Sequence, residues 1–329
     1  MLAALCMQAR NREVHLRLIA TSDIHGNYLP FDYISRQPGR GGLSRVETYV
    51  RTQREELGRE QVVVLDNGDI LQGQPTAYYY NFIDTTSTHF CAQALNYIGY
   101  DAATIGNHDI ETGHAVYDRW VGECNFPMLG ANVVSTSTGR PYWKPYTIIE
   151  RNGIRIGVLG MITPSIPKWL PNNLWSGLRF DDLVETARRW LPEMRYKEHA
   201  DIIVGLFHSG IGNQNARGRM FENAALQVAR MVPGFDIIFC GHDHREADLR
   251  IANVRGDSVL VLNPAANGMS VAQADIHLTL KRKAIVGKRV SGRLVNVADL
   301  QPDSDFINTF SPQAKAVEAF VGEKVGENE

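Results

Sequence analysis

Aspartate, histidine and asparagine residues fall in five short clusters, and each cluster directly follows a run of apolar residues. The clusters are SDIHGN (22–27), NGDILQG (67–73), GNHD (106–109), FHSG (207–210) and CGHDH (240–244). Imidazole, carboxylate and amide groups together suit borderline divalent ions such as Mn, Fe, Co or Zn better than a Cys-rich or all-oxygen set would. The chemistry that these residue types indicate is therefore the binding of metal ions.

Two of the clusters contain ligands at alternate positions, in the motifs D-x-H and H-x-H. Alternate residues of an extended segment point the same way, so each motif can offer both side chains to one site. Seven ligands, counted without His108, are too many for one tetrahedral ion, whereas two ions about 3.5–4 Å apart accommodate them when one carboxylate is shared. Asp69, alone on its loop, is the natural shared carboxylate. The predicted ligands are Asp23, His25, Asp69, Asn107, His208, His242 and His244.

The elements that position these clusters follow from the alternation of short β-branched runs with longer segments of helical period, which is typical of an α/β fold. Strands are predicted at 14–20, 61–66, 101–105, 154–160, 201–207 and 235–240, and helices at 43–57, 88–99, 180–198 and 223–232. In open α/β sheets the functional crevice lies beyond the carboxyl ends of the strands, so the five clusters are expected to converge. After His244, four further strand-like runs predict an antiparallel meander that closes a sheet.

A single D-x-H or H-x-H motif after a strand is more often a solvated turn than a metal site. Five clusters in order, each downstream of a buried strand, are not explained by chance. Gly68, Gly106 and Gly241 precede ligand positions, where a residue without Cβ lets the backbone approach a bound group. The remaining histidines lack this placement and are interpreted as structural or surface residues: His15, His89, His114, His199 and His277.

Composition excludes several classes of protein. The 329 residues carry a net charge of -2, which gives no reason to expect a nucleic-acid polymer as partner. No run approaches the roughly 18 apolar residues of a spanning helix, and the four cysteines form no C-x-x-C pair. Residues 1–13 begin with MLAALCMQAR and are interpreted as a leader or the remnant of an export signal, with an ordinary N-terminal tail as the alternative.

The motifs D-x-H, G-D-x-x-x-G, G-N-H-[DE], an isolated strand-end His and G-H-x-H, in this order, resemble those of the calcineurin-like metallophosphoesterases. The blocks DNGDILQGQP, GNHDIETG and VPGFDIIFCGHDH are most similar to the family branch of 5′-nucleotidases and 2′,3′-cyclic-nucleotide 2′-phosphodiesterases. The resemblance implies a four-layer α/β/β/α sandwich of two mixed sheets over residues 14–300, with a dinuclear metal centre at the strand ends.

The resemblance also implies a role for each residue. One ion takes Asp23, His25, Asp69 and His244, and the other takes Asp69, Asn107, His208 and His242. A hydroxide that bridges the ions attacks phosphorus, and Asn107 and His108 contact the substrate. His108 protonates the leaving oxygen or stabilises the charge that develops on it. In this branch an Asp or Asn three residues on commonly pairs with that histidine. Here that position is occupied by Glu111. Side chains three residues apart in a helical turn can meet, so Glu111 is expected to contact His108, whereas the adjacent Asp109 points away.

The function that the resemblance implies is metal-dependent hydrolysis of nucleotide phosphoesters with two divalent ions, Mn, Zn, Fe, Co or Mg. Phosphoesters other than nucleotides, thiosulfohydrolase chemistry and a non-catalytic scaffold stay open as alternatives. The branch is mostly exported, so the periplasm or the cell surface is expected, with the cytoplasm as the alternative. Branch members have a second, nucleotide-binding domain. Residues 301–329 resemble the start of the linker to it, and either a naturally short member or part of a longer protein fits this tail.

Overall fold

Two mixed six-stranded sheets form the centre of the fold in this computed structural model, which describes residues 11–323. Strands are numbered in chain order. The first sheet contains, in spatial order, β16 (Ala284–Asn296), β15 (Ser270–Lys281), β1 (Arg12–Thr21), β4 (Val62–Asp66), β5 (Ala102–Thr104) and β6 (Met128–Leu129). The second contains β13 (Glu246–Ala252), β14 (Ser258–Pro264), β12 (Ile237–Cys240), β11 (Ile202–His208), β9 (Ile154–Ile162) and β8 (Tyr146–Arg151). Two small ribbons pair β2 (Phe31–Asp32) with β3 (Gln37–Pro38) and β7 (Val133–Ser135) with β10 (Leu178–Phe180).

The central strands of both sheets are parallel, so the loops at their carboxyl ends lie close together. Strands β1, β4, β5 and β6 run in parallel in the first sheet, and β14, β12, β11 and β9 do so in the second. Antiparallel strands flank these parallel strands: β15 and then β16 beside β1 in the first sheet, and β13 beside β14 and β8 beside β9 in the second. Parallel strands end at the same edge of a sheet, so the polar clusters that follow them become neighbours.

Helices cover the outer face of each sheet. They are α1 (Leu43–Leu57), α2 (Pro75–Tyr78), α3 (Phe90–Ile98), α4 (Asn107–Glu111), α5 (His114–Glu123), α6 (Ile166–Trp169), α7 (Leu183–Pro192), α8 (Ala225–Met231), α9 (Ser304–Thr309) and α10 (Ser311–Gly322). Side chains from α1, α3, α5, α9 and α10 share one apolar cluster with the first sheet, those of α7 and α8 share another with the second, and a third cluster fills the space between the sheets. These three apolar layers separate four layers of structure, and the predicted α/β/β/α sandwich is confirmed.

Strand β4 shows why these runs of β-branched residues are strands. Val62 and Val64 pack on the helical side of the first sheet, whereas Val63 and Leu65 pack between the sheets. Successive side chains of a strand point to opposite faces, so a strand with both faces covered is apolar at every position.

The predicted meander after His244 is wrong in its arrangement. Strands β13 and β14 pair in the second sheet, but β15 and β16 pair in the first, so the chain crosses between the sheets after Pro264. The alternation of apolar residues in β15 indicates which side chains are buried, but it does not indicate which strand lies alongside. The predicted helix at 180–198 is also divided, since α7 ends at Pro192 and a wider helical turn follows at 193–197.

The last two helices of the described chain pack on the domain. Phe306, Phe310 and Val317 are buried in the apolar cluster on the outer face of the first sheet. None of the helices between residues 11 and 323 is long and apolar enough to span a membrane. Residues 1–10 of the predicted leader and 324–329 of the predicted tail lie outside the described residues.

Candidate metal centre

The segments after β1, β4, β5 and β12, together with the last residue of β11, bring the seven predicted ligands together in two groups. Within each group of three Asp and His residues, one ligand atom of each side chain lies within 4.8 Å of the others. Asn107 joins one of the groups, because its Oδ1 lies 3.1 Å from Nε2 of His208. We call Asp23, His25 and His244 the outer group, and Asp69, Asn107, His208 and His242 the inner group.

In the outer group, the Nε2 atoms of His25 and His244 are 3.0 Å apart, and Oδ1 of Asp23 lies 3.3 Å from Nε2 of His244. The Nδ1–H group of His25 donates to the backbone carbonyl of Gln72 at 3.2 Å, so its Nε2 presents a lone pair to the group. Burial lowers the pKa of His25, which favours this neutral form. Two imidazole nitrogens at this distance need a proton or a cation between them.

In the inner group, Nε2 of His208 lies 3.1 Å from Oδ2 of Asp69 and equally far from Oδ1 of Asn107. The Nδ1–H group of His208 donates to the backbone carbonyl of Asn67 at 2.7 Å, which holds the ring in this orientation. Burial opposes a charge on the ring, yet the Asp69 carboxylate raises the pKa of His208 to about 10. In the absence of a cation the two residues form a buried ion pair, and a cation would take the place of the Nε2 proton.

His242 has two neighbours that the sequence did not indicate. Its Nε2–H group donates to Oε1 of Glu222 at 3.0 Å, and the Trp169 ring stacks on it with centroids 5.5 Å apart. A carboxylate on one nitrogen of a ligating histidine fixes its tautomer and leaves the other nitrogen free for a cation. Glu222 lies in the loop after β11 and Trp169 ends α6, so neither directly follows a strand and no spacing marks them.

The backbone around the ligands is strained. Five of the seven ligands have φ angles between 51° and 75°, although none of them is glycine. Non-glycine residues cost about 1–3 kcal/mol each in this region and persist where their surroundings hold them. A Cβ on Gly106 or Gly241 would overlap the side chain of Asp69 or Ser22, in keeping with the close approach expected of these glycines. The five strained ligands are Asp23, His25, Asp69, His242 and His244.

Asp109 holds two of the ligand loops against each other. Its buried carboxylate accepts hydrogen bonds from the backbone N–H groups of Asp69, Ile70, Leu71 and Gly106, all at 2.8–2.9 Å. Burial, followed by the nearby Asp69 carboxylate, raises the pKa of Asp109 to about 6. Asp109 is thus occupied by the backbone and does not contact the His108 side chain.

His108 lies at the edge of the outer group, and its partner is Glu111. The Nδ1–H group of His108 donates to Oε2 of Glu111 at 2.6 Å, across one turn of α4. The ring centroid of His108 is 5.6 Å from that of His25, and its backbone N–H donates to Oδ1 of Asp69 at 2.8 Å. The longer glutamate side chain therefore reaches His108, and it engages Nδ1 rather than Nε2.

The donor set fits two divalent cations. It combines two carboxylates, one amide and four imidazoles, and backbone or side-chain acceptors hold one nitrogen of His25, His208 and His242 so that the other nitrogen faces the crevice. Ligand atoms about 3–4 Å apart are also what bonds of about 2.0–2.2 Å to a common cation require.

The sequence matches the profile of the calcineurin-like phosphoesterase family over residues 16–246. The trifunctional nucleotide phosphoesterase protein YfkN of Bacillus subtilis is 31% identical over 335 residues, which cover 96% of this chain and 22% of that protein. The 2′,3′-cyclic-nucleotide 2′-phosphodiesterase/3′-nucleotidase of Yersinia enterocolitica is 33% identical over 248 residues, covering 72% of this chain and 37% of that protein. The chain therefore spans well under half of the length of these two relatives.

Solved structures agree with the sequence comparison. The crystal structure of the calcineurin-like phosphoesterase YfkN from Bacillus subtilis superposes with a TM-score of 0.84 at 28% identity, covering 95% of this chain and all of that one. A putative 5′-nucleotidase from Staphylococcus aureus superposes with a TM-score of 0.77 at 25% identity, covering 93% of this chain and 58% of that one. The resemblance inferred from the motifs is confirmed: the chain belongs to the calcineurin-like phosphoesterase family.

Proposed function

We propose that this chain hydrolyses phosphoesters of nucleotides, as a 5′-nucleotidase, a 2′,3′-cyclic-nucleotide phosphodiesterase or both, with two divalent cations. The observation that carries the proposal is the juxtaposition of the two ligand groups with the His108–Glu111 pair at their edge. Relatives named 2′,3′-cyclic-nucleotide 2′-phosphodiesterase/3′-nucleotidase and 5′-nucleotidase support the choice of nucleotides.

Each ligand group would hold one cation, and Asp69 would be the carboxylate common to both. When bound, the cations supply Lewis-acid stabilisation of the phosphoryl oxygens and lower the pKa of water. Oδ1 of Asp69 accepts the backbone N–H of His108, so the proton-transferring ring is anchored directly to the metal ligands.

His108 would protonate the oxygen that leaves phosphorus. Its Nδ1–H bond to the Glu111 carboxylate fixes the orientation of the ring and leaves Nε2 as the nitrogen that would deliver the proton. Asn107 precedes it on α4 and belongs to the inner group, so the metal centre and the acid lie on one short, rigid element.

The test is a panel of Mn, Zn, Co and Mg added to metal-free protein, with 5′-AMP, 3′-AMP, 2′,3′-cAMP, bis-p-nitrophenyl phosphate and a phosphopeptide as substrates. We expect hydrolysis of at least one nucleotide and a clear preference over the phosphopeptide. Absence of nucleotide hydrolysis with every metal would refute the proposal. A preference for the phosphopeptide would refute the choice of substrate.

The variant His108→Ala tests the assignment of the acid. Turnover should fall by about 10²–10⁴, the usual contribution of general acid catalysis, while elemental analysis finds the metal content unchanged. His114→Ala is a matched control, because His114 also donates to a carboxylate one turn away, Asp118, at 3.0 Å, and stands outside both ligand groups. An equal loss in both variants would contradict the assignment.

We further propose that the protein acts in the periplasm or at the cell surface, where scavenged nucleotides are first met. The apolar sequence MLAALCMQAR supports this location. Fractionation of the source cells, with the enzyme detected by antibody, tests it, and recovery in the cytoplasmic fraction would contradict it.

A further inference from the structure

A cavity of about 660 Å³ lies beside the helices that cover the second sheet. The side chains that line it come from α7, from α8 and from residues 214–219 of the loop between β11 and α8. None of the seven candidate metal ligands lines it, so the cavity is separate from the metal centre. A recess of this volume is large enough to hold a small molecule.

Positive charge is concentrated in this cavity. Four arginines line it against two carboxylates, which leaves two positive charges in excess. The arginines come from three separate elements, so no helical or strand period accounts for their meeting. A recess lined by an excess of one sign of charge attracts ions of the opposite sign. The four are Arg188 of α7, Arg217 and Arg219 of the loop, and Arg230 of α8.

One carboxylate of the lining is shared by two of the arginines, and the other two arginines are left without one. Oε1 of Glu185 lies 3.0 Å from Nη1 of Arg188 and 3.7 Å from Nη2 of Arg219. Arg217 and Arg230 form no ion pair with a carboxylate within residues 11–323. The excess charge of the cavity therefore resides on these two guanidinium groups.

The loop that carries two of the arginines is fastened to both helices. The buried side chain of Gln227 on α8 donates its amide N–H to the carbonyl of Ala216 at 2.9 Å. Asp182, the second carboxylate of the lining, caps α7 with Oδ1 and accepts the backbone N–H of Met220 with Oδ2 at 2.7 Å. Met220 has a φ angle of 57°, which a non-glycine residue keeps only where its surroundings hold it. These contacts lie on either side of the two loop arginines, so the backbone that carries them is held at the cavity.

We propose that this cavity binds the dianionic phosphate group, either as free phosphate or at the end of a small organic molecule. The fork of N–H donors on a guanidinium group matches the oxygens of phosphate, and Arg217 and Arg230 have these donors available. A phosphate monoester carries about 1.5 to 2 negative charges at pH 7, which balances the two positive charges in excess. The site is distinct from the metal centre, and its existence does not depend on the proposed function.

The first test titrates metal-free protein with inorganic phosphate in a calorimeter, so that neither bound cations nor turnover contributes. Wild-type protein should bind phosphate, and Arg217→Gln/Arg230→Gln should bind it about a hundredfold more weakly, since each lost charge-assisted contact accounts for about tenfold. Arg140→Gln/Arg289→Gln is the matched control. It removes two exposed arginines that lie outside the cavity and likewise form no ion pair within the described chain, and it should bind as wild type does.

A single variant separates the loss of binding from any loss of folding. Arg217→Gln changes an exposed loop residue and should weaken phosphate binding about tenfold without a change in the melting temperature of the free protein. Phosphate should raise the melting temperature of metal-free wild-type protein, because a ligand of the folded state stabilises it, and should raise that of Arg217→Gln less at the same concentration.

Glycerol 3-phosphate, titrated in the same way, separates the two sources of the phosphate group. Tighter binding than that of inorganic phosphate would assign the cavity to an organic phosphoester, and equal or weaker binding would assign it to free phosphate. No binding of either ligand by the wild type would overturn the inference. Equal binding by Arg217→Gln/Arg230→Gln, or an equal loss in the control variant, would also overturn it. Because these titrations contain no metal and measure no turnover, failure of the nucleotide assay does not affect them.

Discussion

The inner and outer groups are built from the same kinds of residue but differ in how far the fold encloses them. The side chains of His208 and Asp69 are 0% and 1% exposed, whereas that of His244 is 48% exposed. His208 is held on both ring nitrogens, by the Asn67 carbonyl on one side and by Asp69 and Asn107 on the other. His244 contacts Asp23 and His25, which are the other members of its own group.

This difference indicates that the two groups hold their cations with different strength. Folding alone brings the inner group together, because a buried carboxylate destabilises the folded state unless it is paired with an opposite charge such as an imidazolium. His244 of the outer group faces solvent, and His25 lies beside His108, the residue proposed to contact the substrate. We therefore expect the inner cation to be the more firmly held one and the outer cation to be the exchangeable one.

The largest effect is expected from Asp69→Asn, which removes the charge of the carboxylate proposed to serve both cations. Both ions should be lost and turnover should fall about a thousandfold or more, since metal chemistry contributes several kcal/mol to such reactions. Elemental analysis and kcat/KM measure the two effects. Asp248→Asn, at an exposed position of β13, is the control. Retention of one ion with partial turnover would mean that Asp69 serves the inner group alone.

His208→Ala and His244→Ala compare the two groups directly, in protein freed of metal. His208→Ala should lower the free energy of unfolding by about 3 kcal/mol, because it leaves the Asp69 carboxylate buried without its counter-charge. His244→Ala should lower it by less, because His244 is 48% exposed and the buried Asp23 carboxylate keeps its hydrogen bond from the backbone N–H of His242. Urea denaturation measures both values, and equal values would contradict the inferred difference between the two groups.

Most of the fold could be predicted because its central strands are covered on both faces. Runs such as VVVLD in β4 are short, continuous and rich in β-branched residues, which together indicate a buried strand rather than a helix. The pairing partners of the last four strands, β13, β14, β15 and β16, could not be predicted, since a pattern of buried positions does not indicate which strand lies alongside. Strands of two or three residues, such as β2 and β6, are too short to show any period.

The convergence of the seven candidate ligands could be predicted because each one lies at or just after the end of a recognisable strand, and a strand end is a defined place in an α/β sheet. Glu222 and Trp169 could not be, because they reach His242 from segments whose paths are set by tertiary packing. The role of Asp109 could be predicted in part. Its position next to His108 indicates that its side chain points away from that ring, but the four backbone N–H groups that donate to its carboxylate are seen only in the structure.

Removal of metal with a chelator tests whether the two groups hold their cations with different strength. As the chelator concentration rises, one ion per chain should leave before the other, because His244 of the outer group is 48% exposed, whereas Asp69 and His208 of the inner group are buried. His244→Ala protein should contain one ion from the start and show only the later loss. Elemental analysis after each step measures this, and simultaneous loss of both ions would argue that the two groups act as one site.

The smallest effect is expected from Glu222→Gln, which changes a neighbour of the inner group and none of its ligands. Glu222 accepts the Nε2–H bond of His242, and a glutamine oxygen can still accept it, but without the charge that makes the imidazole a stronger ligand. The affinity for one of the two ions should fall about tenfold, the lower end of the range for such outer contacts. Because His242 is in the inner group, the ion that weakens must be the one that wild-type protein releases last. Weakening of the ion released first would assign His242 to the outer cation and overturn the division between the groups.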